Sequence, residues 1–307
     1  MQEFSFDIPL QPIEDEITIA AGVKLFMLRT DLNHPYFGGN KFFKLKYNLE
    51  EARKRKKEAI VTFGGAFSNH IAATAVAGKV YGFKTIGIIR GDETGDLNPT
   101  LKFAMEQGME LHFVSREIYK LKENFDFIDK AQFSKSTILQ INNSFIIPEG
   151  GANSLGIKGC SEIGNYITIP YDVICCPCGT GTTLAGIILS LDVAQKALGF
   201  QVLKGENYLQ NEVDKWLHEF SSAYKSWSIN EDYHFGGYAK RTPQLIAFVE
   251  EFERLHNIPL DFVYTSKMMF GIYDLMQKNH FQKGQTVIAV HTGGLQGNAG
   301  FKIKSKD

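Results

Sequence analysis

Val173-Ile174-Cys175-Cys176-Pro177-Cys178-Gly179-Thr180-Gly181-Thr182-Thr183-Leu184 reads as a buried strand, a glycine turn and the opening of a helix. The run at 173–176 is short and apolar, the glycines let the chain turn tightly, and helical spacing resumes at Leu184. A strand that exits through glycines into a helix is the repeating unit of an α/β protein built on parallel strands. At this exit successive backbone N–H groups converge, and Thr180, Thr182 and Thr183 add three hydroxyls, more than a helix cap requires. The turn is therefore read as a phosphate cradle. It is not a nucleotide fingerprint: G-x-x-x-x-G-K-[ST] is absent, and G-x-G-x-x-G fails because position 184 is leucine.

The same alternation extends in both directions. Strands are expected at 59–63, 85–89, 110–114, 144–147, 173–176 and 286–291, and helices at 42–57, 68–81, 98–107, 183–198, 208–225, 243–257 and 266–278. No internal repeat, low-complexity tract or Pro/Ser-rich linker interrupts them.

Composition narrows the function classes. The 307 residues are 44% hydrophobic and 22% charged, enough for a sizeable core or two domains. Thirty-three basic residues against 34 acidic ones leave a formal charge of -1, which favours neither nucleic acid nor an anionic membrane. No apolar run approaches the ~18 residues of a membrane span. The first ten residues carry acids where a secretory signal would carry bases, so a cytoplasmic protein with a small substrate is expected. Cys175 and Cys178 have C-x-x-C spacing, but without a second pair or a histidine cluster they read as small strand residues, and no metal is expected.

Three further turns carry chemistry. Gly38-Gly39-Asn40-Lys41 places a lysine at the end of a tight turn; it reads either as a surface turn or as an amine given room to form a Schiff base. Val61-Thr62-Phe63-Gly64-Gly65-Ala66-Phe67-Ser68-Asn69-His70 is a strand, a turn and a helix entry, where Ser68 and Asn69 are either caps or donors to a substrate carboxylate. His291-Thr292-Gly293-Gly294 is a strand exit or a ligand edge. A phosphate cradle, a lysine in a glycine turn and hydroxyl-rich strand ends together fit pyridoxal 5'-phosphate, a phosphorylated cofactor that reacts with an amine.

These pieces resemble the pyridoxal-phosphate enzymes of tryptophan synthase β type, in particular the group of 1-aminocyclopropane-1-carboxylate (ACC) deaminase and D-cysteine desulfhydrase. They occur in the family order from Gly38-Gly39-Asn40-Lys41 through Ser68-Asn69-His70, Pro148-Glu149-Gly150-Gly151-Ala152-Asn153, the loop 179–183 and Tyr264-Thr265-Ser266-Lys267 to His291-Thr292-Gly293-Gly294. The resemblance implies a two-domain fold of type II, with mainly parallel twisted sheets flanked by helices. It places the large cofactor-binding domain at 1–43 plus 154–307 and a small domain at 44–153 inserted in it. Lys41 becomes the lysine that holds the cofactor, Gly179, Thr180, Gly181, Thr182 and Thr183 its phosphate loop, and Asn69 the partner of its ring oxygen. Ser68, Asn69 and His70 would surround the substrate carboxylate. Tyr238 and Tyr264 match the two active-site tyrosines, Thr265 the partner of the pyridine nitrogen, and Thr292 the cofactor's late loop. A homodimer is also implied.

The departures point to the reaction. ACC deaminases carry glutamate after the second tyrosine and leucine after the late histidine, where this chain has Thr265 and Thr292. A carboxylate beside the pyridine nitrogen keeps it protonated and strengthens the electron sink that opening a cyclopropane needs; a neutral hydroxyl does so less well. His70, where ACC deaminases usually have glutamine, points the same way. The expectation is β-elimination from a small amino acid, with D-cysteine leading. ACC, the substrates of related dehydratases and racemases, and a non-catalytic ligand-binding homologue are the alternatives. Around Tyr238 the sequence Phe235-Gly236-Gly237-Tyr238-Ala239-Lys240 departs from the usual pattern.

Overall fold

In a computed structural model that describes residues 7–34, 37–92, 95–124, 127–220 and 226–298, the apolar runs become ten strands. They are β1 (Leu10–Ile13), β2 (Lys24–Leu28), β3 (Ala59–Gly65), β4 (Lys84–Arg90), β5 (Met109–Val114), β6 (Phe145–Ile147), β7 (Val173–Cys178), β8 (Lys196–Gln201), β9 (Ser226–Asn230) and β10 (Thr286–Val290). The chain is an α/β protein. Its described residues divide into two compact units, one of 45–153 with 296–298 and one of 7–44 with 154–295.

The larger unit holds a six-stranded sheet in the order β1-β2-β10-β7-β8-β9, parallel except for β1 against β2. Its interior strands are buried on both faces, which is why β7 reads as a continuous apolar run rather than an alternation. Pro177 lies inside β7, yet pairing with β10 ends at Cys175, so the missing N–H interrupts no bond on that side. Val287, Leu25, Phe200 and Met269 belong to one core cluster of this unit, and Ile174, Leu184, Ile188 and Val290 to another. The smaller unit holds a four-stranded parallel sheet, β5-β4-β3-β6, whose clusters centre on Ile88 and Ile71.

Helix ends follow the caps in the sequence. Ser68 accepts the N–H of Ile71 and opens Asn69–Tyr81, which Gly82 closes at φ 75°. Asn98 with Pro99 opens Pro99–Glu106, and Thr242 with Pro243 opens Pro243–His256.

Two expected helices need correction. The pattern over 183–198 ends as a helix at Ser190, because Leu191 turns extended at ψ 142°, and the chain re-enters the sheet as β8. Ala197, Leu198 and Phe200 are buried between neighbouring strands, and a strand buried on both faces cannot be told from a buried helix by periodicity. The helix expected over 208–225 runs from Tyr208 to Glu219; its end at 221–225 lies outside the described residues, as do residues 1–6 of the acidic N-terminal segment. Strands β1, β2 and β9 and the capped helix Glu16–Ala21 have no counterpart in the sequence reading.

Candidate active site

In the larger unit the candidate residues gather at the C-terminal ends of β2, β7 and β10, the edge where ligands bind in open parallel sheets. The turn before Lys41 is tied down by main-chain bonds. Gly39 N–H donates to the Thr30 carbonyl at 2.7 Å and to Asn33 Oδ1 at 3.1 Å, and Asn40 N–H donates to the Thr292 carbonyl at 3.2 Å. Thr30 Oγ1 in turn donates to the His291 carbonyl at 2.6 Å. Gly39 has a φ of 92°, and a Cβ there would lie 2.1 Å from the Thr292 oxygen, so only glycine lets the two loops meet. Thr292 thus enters through its carbonyl, as the seat of the lysine turn.

Lys41 follows on the helix Asn40–Lys54, half-buried, with Nζ 3.1 Å from Asn40 Oδ1. Asn40 Nδ2 reaches Thr183 Oγ1 at 2.9 Å, which links the lysine turn to the predicted phosphate loop. Burial, reinforced by the neighbouring Lys44 charge, pulls the Lys41 amine down to about 7; Cys160, Asp261 and Cys176 oppose this. At neutral pH much of the amine is uncharged and nucleophilic.

The predicted phosphate loop connects β7 to the helix Thr182–Ser190. Gly181 caps that helix at φ 74°, and among the described residues no side chain caps its first-turn N–H groups. Those are the donors a helix start offers an anion. Thr180 and Thr182 hydroxyls lie 3.0 Å apart beside them.

Tyr264 packs on this loop: a Cβ at Gly179 would meet its Cε1 at 3.3 Å. Its ring lies 6.4 Å from that of Tyr238, edge to face. The two tyrosines and the glycine loop are therefore neighbours. Thr265 opens the helix Thr265–Gln277 and is fully buried.

Three residues of this set were not foreseen. Asp261, 1% exposed, accepts the N–H groups of Val263, Tyr264 and Thr265 at 2.8–3.0 Å and so fixes both the tyrosine and the threonine. Replacing it with alanine orphans three buried donors, and a loss of about 2–4 kcal/mol is expected by urea unfolding; a loss below about 1 kcal/mol would show that the carboxylate carries no such load. Lys44 is buried near Cys160, Cys176 and Cys178, and burial holds its pKa below the ordinary value. Its i,i+3 spacing from Lys41 is the signal that could have found it. Lys267 is fully buried on the Thr265 helix.

The smaller unit carries the other predicted residues. Ser68 and Asn69 are half-buried at the start of their helix, after β3. Asn69 Oδ1 accepts from Gln296 Nε2. His70 is 1% exposed, with Nε2 2.8 Å from Thr62 Oγ1. The Thr62 hydroxyl donates to the Ile147 carbonyl, so the imidazole nitrogen is the donor toward it. His70 is turned into the unit and braces the helix start, while Ser68 and Asn69 remain reachable.

The four cysteines are free and buried, and the Cys160 thiol is pushed up to about 11 mainly by burial.

The profile of the family described as pyridoxal-phosphate dependent enzyme matches residues 8–293. The chain belongs to this family. A Pyrococcus furiosus protein provisionally named 1-aminocyclopropane-1-carboxylate deaminase is 31% identical over 95% of this chain and 91% of its own length. An Arabidopsis thaliana protein named bifunctional D-cysteine desulfhydrase/1-aminocyclopropane-1-carboxylate deaminase is 28% identical over 90% of this chain and 73% of its own. Among solved structures, an ACC deaminase homologue superposes with a TM-score of 0.80 at 26% identity, covering 99% of this chain and 95% of that one. The fold is thus that of type II pyridoxal-phosphate enzymes.

The residues of this pyridoxal-phosphate enzyme fit its cofactor. Thr265 Oγ1 is buried with no hydrogen-bond partner among the described residues, an arrangement that costs free energy unless a bound group completes it. The pyridine nitrogen is such a group. An uncapped glycine-started helix with two hydroxyls suits the phosphate, and the depressed Lys41 amine suits the aldehyde.

Proposed function

We propose that this pyridoxal-phosphate enzyme is a lyase that removes a β-substituent and then ammonia from a small amino acid, with D-cysteine as its main substrate. The observation that carries the choice is the neutral hydroxyl of Thr265, buried beside Tyr264 where a carboxylate would be needed to keep the pyridine nitrogen protonated. Thiolate is a good leaving group and tolerates the weaker sink; a cyclopropane carbon is not. The Arabidopsis relative's name couples the same two activities.

When bound, pyridoxal phosphate supplies an electron sink for negative charge at the substrate's α-carbon. In this reading Lys41 holds the cofactor and, as an amine poised near neutrality, takes the α-proton. Thr180, Thr182 and the N–H groups after Gly181 hold the phosphate, with Gly179 and Thr183 shaping that loop. Thr265 donates to the ring nitrogen. Ser68 and Asn69 take the substrate carboxylate, with the His70–Thr62 bond bracing them. Tyr264 and Tyr238 pass a proton to the departing sulfur. D-cysteine and one water then leave as pyruvate, hydrogen sulfide and ammonia. We further propose a cytoplasmic homodimer, in which 1–43 with 154–307 is the large domain and 44–153 the small one. Among the described residues no helix is long and apolar enough to cross a membrane.

Parallel assays of the purified holoenzyme on D-cysteine, L-cysteine and ACC, following sulfide, pyruvate and 2-oxobutyrate, test the substrate. D-cysteine should exceed ACC in kcat/KM by at least about tenfold, a difference near 1.4 kcal/mol. Turnover of ACC at the same or higher efficiency would overturn the argument from Thr265 and Thr292.

A further inference from the structure

Among the described residues Lys267 has no counter-charge in hydrogen-bond contact, and it has no exposure, yet it carries three strong donors. They go to main-chain carbonyls that converge from two segments: Gly237 at 2.7 Å, His234 at 2.9 Å and Val202 at 3.4 Å. Two of the three belong to the turn that ends in Tyr238. That turn is conformationally costly at Phe235 and Ala239, which have positive φ of 53° and 56°, while Gly236 and Gly237 take φ of 91° and 114° freely. Phe235 anchors its near end against Phe270 with ring centroids 5.0 Å apart, and Gly237 N–H closes back on the His234 carbonyl at 3.0 Å. Beyond Gly237 the chain presents Tyr238, 44% exposed, edge to face with Tyr264.

We propose that Lys267 is a positioning residue that acts through Tyr238: by gathering the carbonyls of His234, Gly237 and Val202 its ammonium holds a strained turn in the one conformation that sets Tyr238 beside Tyr264. No neutral side chain supplies three donors from one atom, and an amide or hydroxyl in its place would leave at least one buried carbonyl unmet. Burial draws the Lys267 amine down to about 8, with Asp261 opposing, which agrees with an ammonium held by carbonyl dipoles rather than by a contacting carboxylate. This inference rests on the reading that Tyr238 takes part in the reaction.

The test joins a structural readout to a mutant cycle on the holoenzyme. In Lys267→Met, amide hydrogen exchange over 234–240 should rise by about 10–100-fold while that of the helix Asn69–Tyr81 stays unchanged. Lys267→Ala should recover protection with ammonium chloride and not with sodium chloride at equal ionic strength. In sulfide release from D-cysteine, Tyr238→Phe and Lys267→Met should each lower kcat by about 10²-fold, the lower end for a lost proton-transfer group, and the double variant should be little worse than either. Full additivity, or exchange rising across the whole unit, overturns the inference and leaves Lys267 a general structural residue. If Tyr238→Phe alone leaves turnover intact, the assignment of Tyr238 fails, and the exchange data still decide the clamp. Should the substituted proteins not fold, the unsubstituted protein decides: amides over 236–240 exchanging at the rate of free peptide would exclude a held turn.

Discussion

Replacing Lys41 with alanine is expected to remove the visible absorption band of lysine-bound cofactor, abolish its trapping by borohydride, and cut turnover of any amino-acid substrate by at least about 10⁴-fold. The variant should still fold, since Lys41 is half-buried and its amine bonds only to the adjacent Asn40 among the described residues. Circular dichroism identical to the parent would establish that. The cofactor-free proteins add a test of sign. An unfolded lysine titrates near 10.5 and the folded Lys41 at about 7, so below pH 7 both states bind the proton and folding bears the whole cost of burying it. Between pH 7 and 10.5 the unfolded chain binds more protons than the folded one, and stability rises with pH across that window. Lys41→Ala lacks this dependence. The variant should therefore melt above the parent at pH 6, with the gap narrowing between pH 7 and 10. Lys44 and Lys267 are also depressed but stay common to both proteins, so the difference belongs to Lys41 and its couplings. A parent and variant with the same pH slope would show that the amine is not desolvated, and retained turnover would remove it from the mechanism.

How far the sequence alone reaches can be judged from where each residue's partners lie. The β7 exit was legible because everything it needs is consecutive: a buried strand, two glycines, three threonines and a helix. The turn before Lys41 is legible for the same reason, since Gly38-Gly39-Asn40 directly precede the lysine. Lys267 and Asp261 lay in plain view beside the Tyr264 motif, but their meaning is tertiary. Only the fold brings the carbonyls of Val202 and Gly237 to one ammonium, and an aspartate before a helix does not announce that it will take three N–H groups at once. His70 shows the converse. The family pattern groups it with Ser68 and Asn69 around the substrate, whereas the helical rotation from Asn69 sends its ring inward to Thr62. β8 is hidden inside a predicted helix because Leu191, Val193, Ala194, Ala197 and Leu198 fit both periods, and at the break the Asp192 N–H donates to Gln195 Oε1.

Gly39→Ala carries the second large effect, because it tests the contact that seats the lysine turn. At this position a methyl would meet the Thr292 oxygen at 2.1 Å, its carbonyl carbon at 2.6 Å and Gly293 Cα at 2.8 Å. All three are backbone, fixed by the Thr30–His291 and Asn40–Thr292 bonds, so no side chain can swing aside. The φ of 92° adds strain of its own, of order 1–3 kcal/mol for a residue with a Cβ. Strain and clash together should cost about 3–5 kcal/mol, among the larger effects of single substitutions. For a chain of this size that is a fall in Tm of about 5–8 °C, and displacement of Lys41 by even about 1 Å should lower turnover by around 10²-fold. Gly82→Ala separates the two causes. Its φ of 75° also lies in the left-handed region, but nothing lies within 4 Å of the added carbon, so it should lose only about 1 kcal/mol and leave turnover unchanged. If Gly39→Ala behaves like Gly82→Ala, the Lys41 turn is not seated on Thr292 by close backbone contact, and the lysine's placement must come from its helix alone.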